Sequence, residues 1–260
     1  MSKPADWKNY EDFSSGIDHN RLPSTDALAG DKFLITLKSG VTMELAFESA
    51  ERVRWSMASE KGDDWYESVK VGPDVYFIDM TFKSKPREAL SLVVNTLTRR
   101  VLSIRSIVRE EKTEGEPQVE QDFQPGLLGD SNMPPTGPEP APTRDLIGLR
   151  AFYRYSPNHL YEHIYLSSQR YSWQCLVGEQ HGHGDTDLAT TYRFDERQYI
   201  FTFREFIIPV ASVFFYNWDD MRSTGKFLGV TADGTIENKP AGAFIQNASM
   251  TFYDKEWAPV

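Results

Sequence analysis

His163 and Glu205 are the two side chains in this 260-residue chain best suited to pass a proton to and from a small molecule. The condition is that both project into one apolar interior. An imidazole changes charge near neutral pH, and a carboxyl group buried among hydrocarbon has a raised pKa. Together they span the range that general acid–base catalysis uses. Tyr161 precedes His163 by two residues, so on a strand it shares the same face and could polarise a substrate oxygen. The walls of such a site are expected from His159, Tyr165, Trp173, Tyr199, Phe203, Phe214 and Tyr216. Aromatic walls with a few convergent polar groups are the usual makeup of a small-molecule pocket. The plainer reading is that His163 and Glu205 satisfy one another, or that Glu205 pairs with Arg204 at a strand end.

Other reactive residues carry less. "HGHGDTD" presents His181, His183, Asp185 and Asp187. Two histidines two residues apart could ligate zinc or iron with a carboxylate. Gly182 and Gly184 make a flexible turn more natural, with the aspartates as turn caps, and no metal is expected. Cys175 lacks a sequence-adjacent base and reads as a small buried hydrophobe. No P-loop, GxGxxG or GxSxG is present, so nucleotide and serine-hydrolase chemistry lack support, and no cofactor is expected.

These residues sit on short segments with period-two alternation, broken by turn residues every eight to twelve positions. That pattern predicts all-β sandwiches or barrels. Strands are expected at 32–38, 41–48, 51–58, 65–70, 75–82, 89–95 and 99–108. A second set is expected at 149–155, 160–167, 170–177, 188–193, 198–206, 209–217, 223–230 and 243–253. One short helix is expected over 5–13. Between them the chain turns acidic and rich in Pro and Gly, which reads as a linker. The expected division is an N-terminal extension 1–23, a first β domain 24–110, a linker 111–143 and a second β domain 144–260.

The two β domains repeat. "MELAFESAERVRW" (43–55) aligns with "YEHIYLSSQRYSW" (161–173) at an offset of 118, matching Glu44 to Glu162, Arg52 to Arg170 and Trp55 to Trp173. The same offset matches Gly30 to Gly148. Later the offset becomes 123, matching "YFIDMTF" to "YIFTFRE", and then 122, matching Asn95 to Asn217 and Arg100 to Arg222. In the first copy Val41, Met43, Leu45 and Phe47 alternate with polar partners and must face the core. Transfer puts His159, Tyr161, His163 and Tyr165 inside, with Glu162 outside. It also puts Tyr171, Trp173, Cys175, Tyr199, Phe201, Phe203, Glu205, Ser212, Phe214 and Tyr216 inside. The first interior is thus hydrocarbon where the second is polar. An unpaired carboxylate costs several kcal/mol to bury, so the second interior calls for pairing or for a ligand-filled cavity.

Net charge is −10, which argues against nucleic acid and anionic membranes as partners. One cysteine excludes an intrachain disulfide and suits a reducing, cytoplasmic setting. The N-terminus lacks an apolar leader, and the longest apolar run, "FIIPVASVFFY", is too short to span a bilayer. A soluble protein is expected, with a homo-oligomer left open.

"YEHIYLSSQRYSWQCL", "DTD" at 185–187, "YIFTFRE" and "RSTGKFLG", together with "LPSTDALAG" and "TRDLIGLR", resemble the MoaF family, labelled molybdenum cofactor biosynthesis protein F. The resemblance covers nearly the whole chain from about Leu22. It implies two tandem lipocalin-like (calycin) antiparallel β-barrels, reminiscent also of phenolic acid decarboxylases. The loop "EQHGHGDTD" departs from the family pattern, which speaks further against a metal there. The expected function is a cofactor-independent enzyme of lyase, isomerase or cyclase type, pericyclic closure included. It would act on a hydrophobic or aromatic small molecule in the second barrel, with His163, Glu205 and Tyr161 catalytic. The alternative is a lipocalin-like binding protein or an accessory factor in cofactor biosynthesis.

Overall fold

The computed structural model describes residues 3–130 and 132–260. Apart from α1 (Tyr10–Ser14) it is nearly all strand. The first barrel is β1 (Lys32–Leu37), β2 (Thr42–Phe47), β3 (Arg52–Met57), β4 (Glu60–Gly72), β5 (Val75–Phe82), β6 (Lys85–Asn95), β7 (Arg100–Val108) and β8 (Val119–Leu128). They follow one another round the wall and close on themselves. The two-residue β9 (Ala141–Pro142) precedes the second set: β10 (Leu149–Ser156), β11 (His159–Tyr165), β12 (Arg170–Val177), β13 (Gly184–Asp195), β14 (Gln198–Arg204), β15 (Val210–Asn217), β16 (Arg222–Val230) and β17 (Ile236–Met250). Here β12 pairs with β13 and β10 with β17, so eight strands again close. Two lipocalin-like antiparallel barrels therefore stand in tandem. Closure removes the exposed edges that an open sheet of this size would present. Among the described residues no helix is long and apolar enough to cross a membrane.

The segment expected as a linker over 111–143 is in part strand. β8 lies inside it and closes the first barrel through Ile35–Leu128, Thr36–Leu127 and Leu37–Gly126. Pro and acidic residues hid it, because a barrel wall tolerates them where a side chain faces water. The extension 1–23 also joins a domain. The chain up to Arg21 forms one compact unit with residues 108–120 and 142–260, while 22–107 and 121–141 form the other. The expected helix over 5–13 is shorter and later, at Tyr10–Ser14.

The pairing registers repeat with the same offsets that the sequences do. Phe33 faces Leu45 and Ala151 faces His163, both 118 apart. Tyr66 faces Met80 and Ala189 faces Phe203, both 123 apart. Leu92 faces Ser103 and Phe214 faces Gly225, both 122 apart. Turn chemistry repeats as well. The Asn95 side-chain oxygen accepts from Leu97 and Thr98, and that of Asn217 from Asp219 and Asp220. Gly30 and Gly148 both have φ near +90°, a region closed to most L-residues, and donate to the carbonyls of Phe47 and Tyr165.

One repeated contact lies inside each barrel. Trp55 Nε1 donates to Asp64 Oδ2 (2.8 Å) and the Lys83 amide to Asp64 Oδ1 (3.1 Å). Trp173 Nε1 donates to Asp187 Oδ2 (3.0 Å) and the Phe206 amide to Asp187 Oδ1 (3.3 Å). The indole and one amide fasten a buried carboxyl where two strands meet. Trp55→Phe keeps the ring and strands the Asp64 carboxyl, so we expect it to cost about 1–3 kcal/mol by urea unfolding. A neutral result would show that the contact is not a clasp.

The alternation assigned from the sequence sets the interiors. The first is lined by Met43, Leu45, Phe47, Val53, Ile78, Met80 and Leu92, with Tyr66 and Asp64 as its polar members. In the second, Tyr161, His163, Tyr165, Tyr171, Trp173, Cys175, Phe201, Phe203, Glu205, Ser212, Phe214 and Tyr216 are all buried, while Tyr199 is partly so.

Candidate functional site

The second barrel holds a small cavity of about 30 Å³, room for one or two waters. His163, Tyr161, Trp173 and Tyr171 reach it from β11 and β12, Phe203 and Glu205 from β14 and the residue after it, and Gln180 from the following loop. The chain thus brings the three expected catalytic residues to one cavity. It does not pair His163 with Glu205. No hydrogen bond joins them, and His163 Nδ1 is buried without a partner. Burial pushes the imidazole down to about 3, which favours the neutral ring at ordinary pH.

The neighbour of Glu205 is Asp187. Leu188 faces Arg204 across β13 and β14, and continuing that register sets Asp187 opposite Glu205, both on the inward parity. Asp187 was expected as a turn cap. Instead it is fully buried in the Trp173 clasp, because β13 begins at Gly184 and carries it into the wall. Burial pushes the Asp187 carboxyl up to about 7, partly opposed by the Trp173 hydrogen bond. Glu205 stands well above the usual carboxylate range through burial, then through the charges of Asp187 and Asp185. It is 6% exposed, and among the described residues none donates a hydrogen bond to its carboxyl. The repeat separates the two acids. Asp187 corresponds to Asp64 and belongs to the scaffold, whereas Glu205 corresponds to Phe82.

Other expected site residues lie elsewhere. Tyr153, Tyr165 and Tyr216 join hydroxyls deeper in the barrel, at 2.6 Å between the first two and 3.2 Å from Tyr165 to Tyr216. Phe214 packs near them, 6.3 Å from the Tyr216 ring. Tyr199 donates to Asp145 (3.2 Å) near solvent, and His159 Nδ1 meets Ser156 Oγ (2.8 Å). None of these five expected wall residues (His159, Tyr165, Tyr199, Phe214, Tyr216) lines the cavity, because the barrel is longer than the cavity is deep. Glu162 faces outward as expected, but Arg150 and Gln174 cover it completely.

Sequence reasoning missed Gln180, Tyr155 and the N-terminal segment. Tyr161 donates to Gln180 Oε1 (2.9 Å), which leaves the buried Gln180 Nε2 without an acceptor. Phe13 and Ile17 line the cavity from α1 and the turn after it. Tyr10 anchors the segment by donating to the Phe227 carbonyl (2.9 Å). Trp7 stacks on His183 (5.2 Å, 2°) and meets Trp173 edge-on (5.9 Å). The aromatic spacing of "WKNYEDF" and a terminal apolar Ile17 were the available signals. Among the described residues no three His, Cys, Asp or Glu side chains gather as a metal group; His183 is a stacking partner for Trp7.

Comparison with known proteins follows this geometry. The MoaF N-terminal domain matches residues 5–110 and the MoaF C-terminal domain residues 140–251. Protein MoaF of Klebsiella aerogenes is 30% identical over 249 residues, spanning 90% of this chain and 91% of that protein. A solved structure named "putative beta-lactamase" from Burkholderia vietnamiensis aligns with 40% of this chain and 95% of its own, at 10% identity and a TM-score of 0.35. The DNA polymerase III beta chain of Streptococcus pneumoniae aligns with 90% of this chain and 82% of its own, at 8% identity and a TM-score of 0.13. Likeness that weak carries no argument about fold or activity. The two domain matches span both barrels, and the chain belongs to the MoaF family.

Proposed function

We propose that the second barrel is the site of a cofactor-independent enzyme that moves a proton on a hydrophobic or aromatic small molecule. The observation that carries this is Glu205: a carboxyl that lines the cavity without a hydrogen-bond donor among the described residues, set where the sister barrel has Phe82. An apolar ring would serve a purely structural interior better there, since it carries no desolvation cost. A group of raised pKa is what a general acid needs at neutral pH.

In this reading protonated Glu205 donates to one atom of the substrate. The carboxylate that results takes a proton back from another, so isomerisation, elimination or ring closure needs no outside proton. Gln180 Nε2 supplies a donor for a substrate oxygen, and neutral His163 and Tyr161 hold its orientation. Membership of the MoaF family supports a role linked to molybdenum cofactor biosynthesis. The aromatic lining of the cavity also fits a second reading, a binding protein that holds its ligand without reaction.

Exchange of substrate C–H for deuterium, followed by NMR over a panel of planar hydroxylated aromatic compounds, tests the proposal. Glu205→Gln is expected to slow exchange about 10²-fold or more. Equal exchange by the variant removes the role of Glu205, and binding without exchange favours the binding protein.

A further inference from the structure

We infer that the ligand of the second barrel is a small organic cation, a protonated amine on an apolar body. The assignment rests on reading the cavity as a ligand site and specifies its chemistry.

The cavity wall is aromatic: Tyr155, Tyr161, Tyr171, Trp173, Phe203 and Phe227 all line it. Ring faces attract cations through their quadrupoles, and the attraction grows when water is excluded. At one end stands Glu205, and beside it Asp187, one step beyond the Leu188–Arg204 pair, acts on it as a like charge. No Lys or Arg lines the cavity. Arg170 begins β12 with the opposite parity to Tyr171, lies over the Phe206 ring (5.0 Å) and acts on Asp187 as an opposite charge. Two adjacent buried carboxyls share a proton by preference, since the opposing charge, Arg170, acts on Asp187 and does not line the cavity. A bound ammonium group would take the place of that proton, so towards an amine Glu205 would act first as the base, taking a proton from one atom of the ligand and returning it to another. An anionic ligand would meet the pair as a like charge.

The remaining polar groups fit a ligand with an oxygen as well. Gln180 Nε2 and His163 Nδ1 are each buried at the cavity and unpartnered. A hydroxyl on the ligand could accept from the amide. The volume of about 30 Å³ is below what such a ligand needs, so entry requires Phe13 and Ile17 to swing out.

The test is calorimetric titration of the full chain with three compounds of one shape. Tyramine carries a cation, 4-ethylphenol is neutral and 3-(4-hydroxyphenyl)propionate is an anion. Each is titrated into the wild type, Glu205→Gln and Phe13→Ala. Tyramine is expected to bind at least about tenfold more tightly than the other two. Glu205→Gln is expected to erase most of that preference, and Phe13→Ala to keep it. Neutral or anionic binding as tight as that of tyramine overturns the cation assignment and leaves a ligand site standing. Failure of all three to bind both the wild type and Phe13→Ala overturns the assignment together with the ligand site. Selective tyramine binding without deuterium exchange supports the cation and defeats the enzyme reading.

Discussion

Glu205→Phe is expected to make the protein more stable, raising Tm by about 3–12 °C at pH 8. Replacing a buried ionisable group by a packed apolar one commonly gains about 1–4 kcal/mol, and each kcal/mol moves Tm by about 3 °C in a domain of this size. Phe82 in the sister barrel shows that the fold accepts the ring there, 4.9 Å from Trp55. Glu205→Gln, which keeps the shape, separates charge from packing. The pH dependence gives the sign. Above about pH 4.5 the unfolded chain has released the Glu205 proton, while the folded chain keeps it. Stability therefore falls as pH rises towards the raised folded value. Asp187 acts in the same sense, between about 4 and about 7. His163 acts in the opposite sense, because the unfolded chain binds its proton first, between about 6.5 and about 3; His159 is likewise lowered by burial. Above pH 6.5 the histidine contributions are flat. Asp185, Arg170, Tyr161, Tyr171 and Cys175 also belong to the titratable set at this end of the barrel; Arg170 draws the Asp187 carboxyl down, and burial raises Tyr161, Tyr171 and Cys175 further from neutrality. Wild-type Tm should thus decline from pH 6.5 to 8, and that of Glu205→Gln should decline less, keeping only the Asp187 share up to about 7. A variant less stable than the wild type at pH 8 would make Glu205 a structural residue.

The second large effect concerns access. Cys175 is the single thiol in the chain and is buried beside Tyr161 and Gln180. Its labelling by a thiol reagent tests whether opening of the N-terminal segment exposes this end of the barrel. Phe13 meets Tyr10 at 5.7 Å and Phe227 at 5.9 Å, both edge-on. Truncating a buried Phe costs about 3–5 kcal/mol. If the segment opens as a local unit, that loss raises the open population about 10²-fold or more, and labelling follows it. Phe13→Ala should therefore label Cys175 at least about 10² times faster while the global transition in urea shifts little. Unchanged labelling would mean that the segment does not guard this end of the barrel. A global loss equal to the full cost would mean that it unfolds only with the rest.

Strand positions, the inward parity and the duplication were legible in the sequence because strand faces alternate with period two, and a repeat carries that parity from a clear copy to an ambiguous one. Met43, Leu45 and Phe47 made Tyr161, His163 and Tyr165 readable. β8 was not legible, since a strand closing a barrel edge pairs with β1 far away in sequence and needs little hydrophobicity of its own. Asp187 was misread for a related reason. Its meaning depends on Trp173, fourteen residues away across a hairpin.

The sequence alone thus determined that there are two barrels of one plan, that the second has polar groups where the first has hydrocarbon, and that Glu205 is the odd residue among them. Side-chain type and alternation suffice for that. Only the tertiary structure decided which inward residues share one cavity. Depth along a barrel axis depends on strand tilt and stagger, which no local pattern records. It set Tyr165, Phe214 and Tyr216 away from the cavity, brought Asp187 close enough for its charge to act on Glu205, and brought Phe13 and Ile17 of the N-terminal segment to the cavity that Glu205 lines.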